Sequence, residues 1–147
     1  MKDGKVKIVA VDFDGTCVTD EFPGIGKPIG AIPVLKLMQS KGIKIILNTV
    51  RDGFYSLNAG NWLVKEGINL WGINLNPEQR NWSKSPKVHA DLFIDDRSIG
   101  IPLINGEYVD WIGVLDICME HGYLGDDCTV EEIEQVLKEI TDQLHEL

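Results

Sequence analysis

Long apolar runs are missing from this chain: no stretch approaches the ~18–20 consecutive apolar residues that a membrane-spanning helix needs. Cysteine is scarce as well. Cys17, Cys118 and Cys128 are odd in number and show no C-x-x-C spacing. That excludes a disulfide framework and a cysteine zinc site, and it points to reduced thiols in a cytoplasmic location. His89, His121 and His145 share no metal-ligand spacing either. The opening residues Met1-Lys2-Asp3-Gly4-Lys5 lead into a strand with no apolar leader ahead of it. Positive charge is the remaining shortfall. Fourteen Lys and Arg against 23 Asp and Glu leave a formal net charge of −9, and no basic cluster is interleaved with aromatics. Extended nucleic-acid binding is therefore disfavoured, whereas a small phosphorylated ligand held by a local cation is still admitted; the missing apolar span is what argues against a membrane partner.

What the chain does have is enough length, 147 residues, to form one domain over 1–147. A domain of that size buries roughly 68–70% of the surface its unfolded chain exposes, without disulfides. Apolar and β-branched runs predict strands over Lys5–Asp12, Ile43–Leu47, Ile68–Leu75 and Ala90–Ile94. Helical spacing predicts a helix over Ala31–Ser40 stopped by Gly42. A second is predicted from an Asp52 cap toward Glu66, with Phe54, Leu57, Trp62 and Leu63 as its apolar marks. Gly and Pro punctuate a loop over Thr16–Ile29, and Asn76–Pro86 is polar and irregular. Strands alternating with helices imply an α/β fold, a doubly wound three-layer sandwich around a mainly parallel sheet.

Residues 101–147 extend that core. Ile101–Tyr108 has the pattern of a turn or small hairpin, and Asp110–His121 that of a helix with Trp111, Val114, Leu115 and Cys118 inward. Thr129-Val130-Glu131-Glu132 is a capping box opening a terminal helix, whose apolar stripe runs from Val130 through Ile133, Val136, Leu137, Ile140 and Leu144 to Leu147. The stripe has two uses, packing on the domain or self-association into a homo-oligomer.

The chemistry concentrates at strand ends. Val9-Ala10-Val11-Asp12-Phe13-Asp14-Gly15-Thr16 sets two carboxylates one residue apart beyond an apolar strand. Strand alternation would direct Asp12 and Asp14 to the same side, at the carboxyl edge where open α/β sheets bind ligands. Like charges so close require a cation between them or a raised pKa, and an oxygen-only site suits Mg²⁺. A second acidic pair, Asp95-Asp96, ends the run Leu92-Phe93-Ile94. Asn48-Thr49 ends another strand, and Lys84 and Lys87 precede the second pair. Together these make a phosphoryl-transfer kit. One carboxylate can become an aspartyl-phosphate, the other can protonate the leaving oxygen and then activate water, and a hydroxyl with an ammonium can hold the phosphate oxygens. Thr49 also suits a local backbone hydrogen bond. Arg51 and Arg97 each follow such a motif, where either can reach substrate or form a surface ion pair. Cys17 fits a small hydrophobe.

The order Asp12-Phe13-Asp14-Gly15-Thr16, Thr49, Lys87, Phe93-Ile94-Asp95-Asp96 resembles the haloacid dehalogenase (HAD) superfamily of phosphatases and phosphotransferases, over roughly residues 6 to 100. The stretch Ser85–Arg97 is also similar to small capless bacterial and phage members. The resemblance implies a Mg²⁺-dependent phosphohydrolase with Asp12 as nucleophile and metal ligand. It implies Asp14 as general acid/base with its backbone carbonyl on Mg²⁺, Thr49 and Lys87 (with Asn48 beside them) as phosphate binders, and Asp95 and Asp96 completing the metal site. A carboxylic acid two residues after the nucleophile favours ester cleavage over dehalogenation.

The segments between motifs hold a loop, a crossover helix and a strand, which leaves no room for a large cap. An open site is expected, screened by Thr19–Ile29, by Asn76–Ser85 or by a partner subunit, with a phosphorylated small-molecule or macromolecular substrate. Two other readings stand beside it. One is a phospho-signalling receiver domain, which the motif order disfavours; the other is a HAD-like fold kept for binding or assembly without turnover.

Overall fold

The computed structural model describes residues 4–147; Met1, Lys2 and Asp3, which the sequence places ahead of the first strand, lie outside the described residues. Four short strands pair in parallel: β1 (Ile8–Val11), β2 (Lys44–Leu47), β3 (Leu70–Ile73) and β4 (Leu92–Ile94), in the order β3-β2-β1-β4. The chain winds outward from β1 to β3 and then returns to the other side of β1. The point where this winding reverses lies between β1 and β4, where ligands of open α/β sheets bind. Each strand is shorter than its apolar run, because the flanking residues continue into loops that carry the sheet's polar edges.

Register sorts the strand residues onto two faces. Val9, Val11, Ile45, Leu47 and Ile94 share the main core with helices α1 (Ala31–Ser40), α2 (Gly53–Lys65), α3 (Trp111–His121) and α4 (Val130–His145). Ala10 and Ile46, on the opposite face, are buried as well, and the segment 74–91 between β3 and β4 is irregular, with one 3₁₀ turn at Gln79–Asn81. That segment is held by side-chain amides in place of a helix ladder. Gln79 Nε2 donates to the Lys87 carbonyl at 2.8 Å, and Asn76 Nδ2 donates to the His89 carbonyl at 2.9 Å. The expected α/β sandwich with a parallel sheet is what forms, and no large cap stands among the described residues.

Helix α1 covers the residues expected of it. In α2 the apolar marks divide differently from expectation: Leu63 is buried, but Phe54 is 75% exposed and Leu57 56% exposed. Ala59 and Gly60 take the inner face instead. The reason is approach distance, since a Cβ on Gly60 would come within 2.8 Å of Ile73 Cδ1, so the helix seats against β3 through its small residues. Asp52 occupies the cap position, although its side chain makes no capping hydrogen bond.

The carboxyl-terminal extension is part of the same core. A hairpin of β5 (Leu103–Ile104) and β6 (Tyr108–Val109) precedes α3, whose buried residues are Trp111, Val114, Leu115 and Cys118, as the spacing predicts. The Thr129/Glu132 capping box forms in full. Of the α4 stripe, Val136 and Ile140 are buried, Ile133, Leu137 and Leu144 are half-buried, and Val130 is exposed. Helix α4 lies along α1: Gln143 accepts from the Gly30 N–H at 2.9 Å, and Lys41 meets Glu132 at 2.9 Å. All three cysteines are free.

Candidate functional site

Asp12 leaves β1 with its backbone still in the ladder, its N–H donating to the Ile94 carbonyl at 2.9 Å. The chain then turns sharply. The Phe13 carbonyl accepts from the N–H groups of Thr16 and Cys17, and Gly15 takes a φ of +79° that other residues rarely adopt. A Cβ at Gly15 would lie 2.5 Å from Asp96 Oδ2. The glycine thus allows the first acidic motif to close against the second. Thr16, fully buried, joins them: its hydroxyl donates to Asp12 Oδ2 at 2.8 Å and accepts from the Asp96 N–H at 3.0 Å. Beneath the turn, Trp111 Nε1 donates to the Thr16 carbonyl at 2.6 Å, and the Val109 N–H donates to the Gly15 carbonyl at 3.0 Å. The 101–147 extension therefore buttresses the turn that follows the first acidic motif.

Asp12, Asp95 and Asp96 each offer a carboxylate oxygen, and these atoms lie within 4.8 Å of one another. Burial raises the Asp12 pKa to about 7; the charges of Asp95 and Asp96 push the same way, while the Thr16 hydroxyl and the Phe13 N–H pull back. Asp96 is also raised, again first by burial. Three carboxylates placed in this way could hold a metal ion.

Asp14 does not join this cluster. Its oxygens accept from Arg51 in a two-bond fork, Nε to Oδ2 at 2.7 Å and Nη2 to Oδ1 at 2.6 Å. Arg51 is only 2% exposed. Its remaining donors reach the carbonyls of Pro23 at 3.2 Å and Gly24 at 2.6 Å, and its guanidinium sits between the Phe13 and Phe22 rings, 5.0 and 5.1 Å from their centroids. The loop after the first motif is thereby pinned over the site. Thr19 and Lys27 close its base, with the Thr19 N–H donating to the Lys27 carbonyl at 3.0 Å. A cavity of about 470 Å³ opens here, walled by all five carboxylates of Asp12, Asp14, Asp20, Asp95 and Asp96, by Arg51 and Arg97, and by the apolar Phe22 and Val50.

The other residues singled out by the sequence sit elsewhere. Thr49 Oγ accepts from the Arg51 N–H at 3.1 Å, the local backbone bond, and so braces the arginine. The Asn48 N–H donates to the Val11 carbonyl, which extends the β1/β2 ladder. Neither residue forms part of the acidic cavity wall, nor does Lys87. Lys87 borders a cleft with Trp82 and Phe93 on the opposite sheet face, and Lys84 borders another with Arg80 and Asn76. From the loop Thr19–Ile29, Asp20 and Phe22 line the acidic cavity, while Asn76–Ser85 lines those separate clefts. Cys17 is buried and its thiol donates to the Asp12 carbonyl at 3.3 Å. Sequence reasoning passed over Thr16 as a bridge and left Arg51 between surface pair and substrate contact. Its position two residues after Thr49 was the available signal.

The fold and site define a Rossmann-like α/β sandwich with an acidic centre at its switch point. No family model matches the chain, and no curated protein does. A solved structure, that of a conserved protein coded by a locus from Bacteroides thetaiotaomicron, is 34% identical to it. The alignment covers 88% of this chain and 97% of that one, with a TM-score of 0.65. The chain belongs to the family of that conserved protein. The likeness carries fold and family, and names no activity.

Proposed function

We propose that this protein is a divalent-cation-dependent phosphohydrolase of the HAD type, cleaving phosphate monoesters with Asp12 as nucleophile. The observation that carries the reading is the convergence of Asp12, Asp95 and Asp96 at the ends of adjacent parallel strands. Asp12, Asp95 and Asp96 would hold the cation, Mg²⁺ by their donor chemistry, and the bound ion would offset charge on the phosphate oxygens.

Asp12 attacks phosphorus in line, forming an acyl-phosphate and releasing the alcohol. The buried Thr16 hydroxyl fixes the Asp12 carboxylate, so the free oxygen is aimed before substrate arrives. Asp14 gives a proton to the leaving oxygen and later takes one from the attacking water. With both oxygens accepting from Arg51, Asp14 must first release one bond of the fork and take up a proton from solvent on the freed oxygen; the proton later taken from the water restores that acid form as inorganic phosphate leaves Asp12. No lysine lines the cavity, and Arg97, which does, would meet the phosphate oxygens.

Phosphate release from p-nitrophenyl phosphate and a panel of monoesters, with and without Mg²⁺ and with Asp12→Asn, tests this. Release that needs Mg²⁺ and vanishes in the variant supports it. Unchanged release in Asp12→Asn would sink the mechanism. A second reading, binding of metal and phosphate without turnover, is favoured by the Arg51 fork on Asp14 and by the absence of Lys87 from the cavity wall. Metal binding with no release from any monoester would select it.

A further inference from the structure

Resting on the phosphomonoester reading, we propose that the leaving-group side of the acidic cavity takes an uncharged aromatic ring, seated between Phe22 and Val50. These are the two apolar side chains of the cavity wall, and both are open: Phe22 is 54% exposed and Val50 wholly exposed. Scattered apolar residues on a surface need no explanation, but Phe22 is not loosely placed. Arg51 lies against its ring at 5.1 Å, Tyr55 packs on it at 5.4 Å, and the neighbouring carbonyls of Pro23 and Gly24 are pinned by the same arginine. The buried arginine that is forked onto Asp14 thus also fixes the Phe22 ring at the cavity mouth. A ring so fixed presents area at little entropic cost, and an aromatic partner contacts it in an offset or edge-on arrangement.

Charge restricts the ligand further. Five carboxylates share the wall with two arginines, and Arg51 is committed to Asp14. Once a cation and a phosphate occupy the Asp12/Asp95/Asp96 end, Asp20 still faces the remainder of the cavity. A leaving group carrying a second phosphate or a carboxylate would be repelled, whereas a neutral ring is not. The volume, about 470 Å³, falls within the range of small-molecule sites and admits a phosphoryl group with one ring system.

Non-hydrolysable phosphonates test this by binding alone, independently of turnover. In calorimetric titrations with Mg²⁺, phenylphosphonate should bind the wild-type protein about three- to tenfold more tightly than methylphosphonate, the size of an aromatic contact. Phe22→Leu should remove most of that difference. So should Val50→Ala, a change at a wholly exposed position that removes no buried contact. Methylphosphonate should bind all three proteins alike. A para-carboxylate on the phenylphosphonate should weaken binding, and Asp20→Asn should restore part of the loss. Equal binding of phenyl- and methylphosphonate to the wild type overturns the ring proposal and leaves the phosphohydrolase reading standing. Binding of neither in the presence of Mg²⁺ overturns that reading, and the ring proposal with it.

Discussion

The two acidic pairs that flank the switch point are put to opposite uses. Asp95 and Asp96, adjacent in sequence at the end of β4, both enter the cluster with Asp12. Asp12 and Asp14, one residue apart at the end of β1, part company: Asp12 turns to the cluster and Asp14 to Arg51. Both still line one cavity, as strand alternation directs. The difference comes from the partner each meets there, Thr16, Asp95 and Asp96 for Asp12 and the buried guanidinium of Arg51 for Asp14. A carboxylate crowded by its own kind and a carboxylate satisfied by a guanidinium are thereby set side by side. Under the proposed mechanism, that separation of environments would give chemically identical groups different roles.

The contrast can be broken most severely at Asp12. Asp12→Asn should abolish Mg²⁺-dependent phosphate release outright, measured by a discontinuous phosphate assay with the panel of monoesters. Asp14→Asn should reduce turnover by about 10²–10⁴-fold, the usual share of a general acid/base. Calorimetry should show its Mg²⁺ binding retained, because its side chain stands outside the cluster.

Arg51 probes the other half of the comparison. Removing one partner of a buried ion pair costs about 3–5 kcal/mol, so Arg51→Met should lower the denaturation midpoint by a large part of the protein's stability. Arg51→Lys should recover only a fraction, since an ammonium cannot reproduce the two-bond fork. Equal stability of wild type and Arg51→Met in urea denaturation would show that the pair is not structural.

The pH dependence of the metal-free protein sharpens the contrast more gently. Asp12 has its pKa raised to about 7 in the fold, so the folded state binds a proton that the unfolded state has already lost. The stability this contributes is present at acid pH and is lost as pH rises toward 7. Thermal midpoints without metal should therefore fall between about pH 4 and pH 7 from this group. Added Mg²⁺ should stabilise more at pH 8 than at pH 5, and Asp12→Asn should flatten the slope. The smallest effect is expected from Thr16→Val. It removes the hydroxyl bridging the pairs at a cost of about 1–3 kcal/mol, and it should raise the Asp12 pKa further, because the Thr16 bond is what holds it down.

Much of the architecture was legible in the chain. The β-branched runs marked all four sheet strands, helix α1 fell on its predicted residues, and the Thr129/Glu132 capping box formed as written. Local signals suffice there because caps, turns and strand periodicity act within a few residues. The exposure of Phe54 and Leu57 was not legible, since it follows from how closely Gly60 lets α2 approach Ile73. Lys87 was assigned by motif order. Order along a chain does not say on which sheet face a side chain emerges, and Lys87 borders the cleft containing Phe93.

The sequence by itself determined the α/β class, the two acidic strand ends and the chemistry those carboxylates could support, because each depends on residue type and short-range spacing. Tertiary structure alone decided which carboxylates meet, that Arg51 is buried on Asp14 beneath the 19–29 loop, and that Trp111 braces the Gly15–Thr16 turn. Those contacts join residues dozens of positions apart. Their partners are chosen by strand order and by the burial that only the assembled core provides.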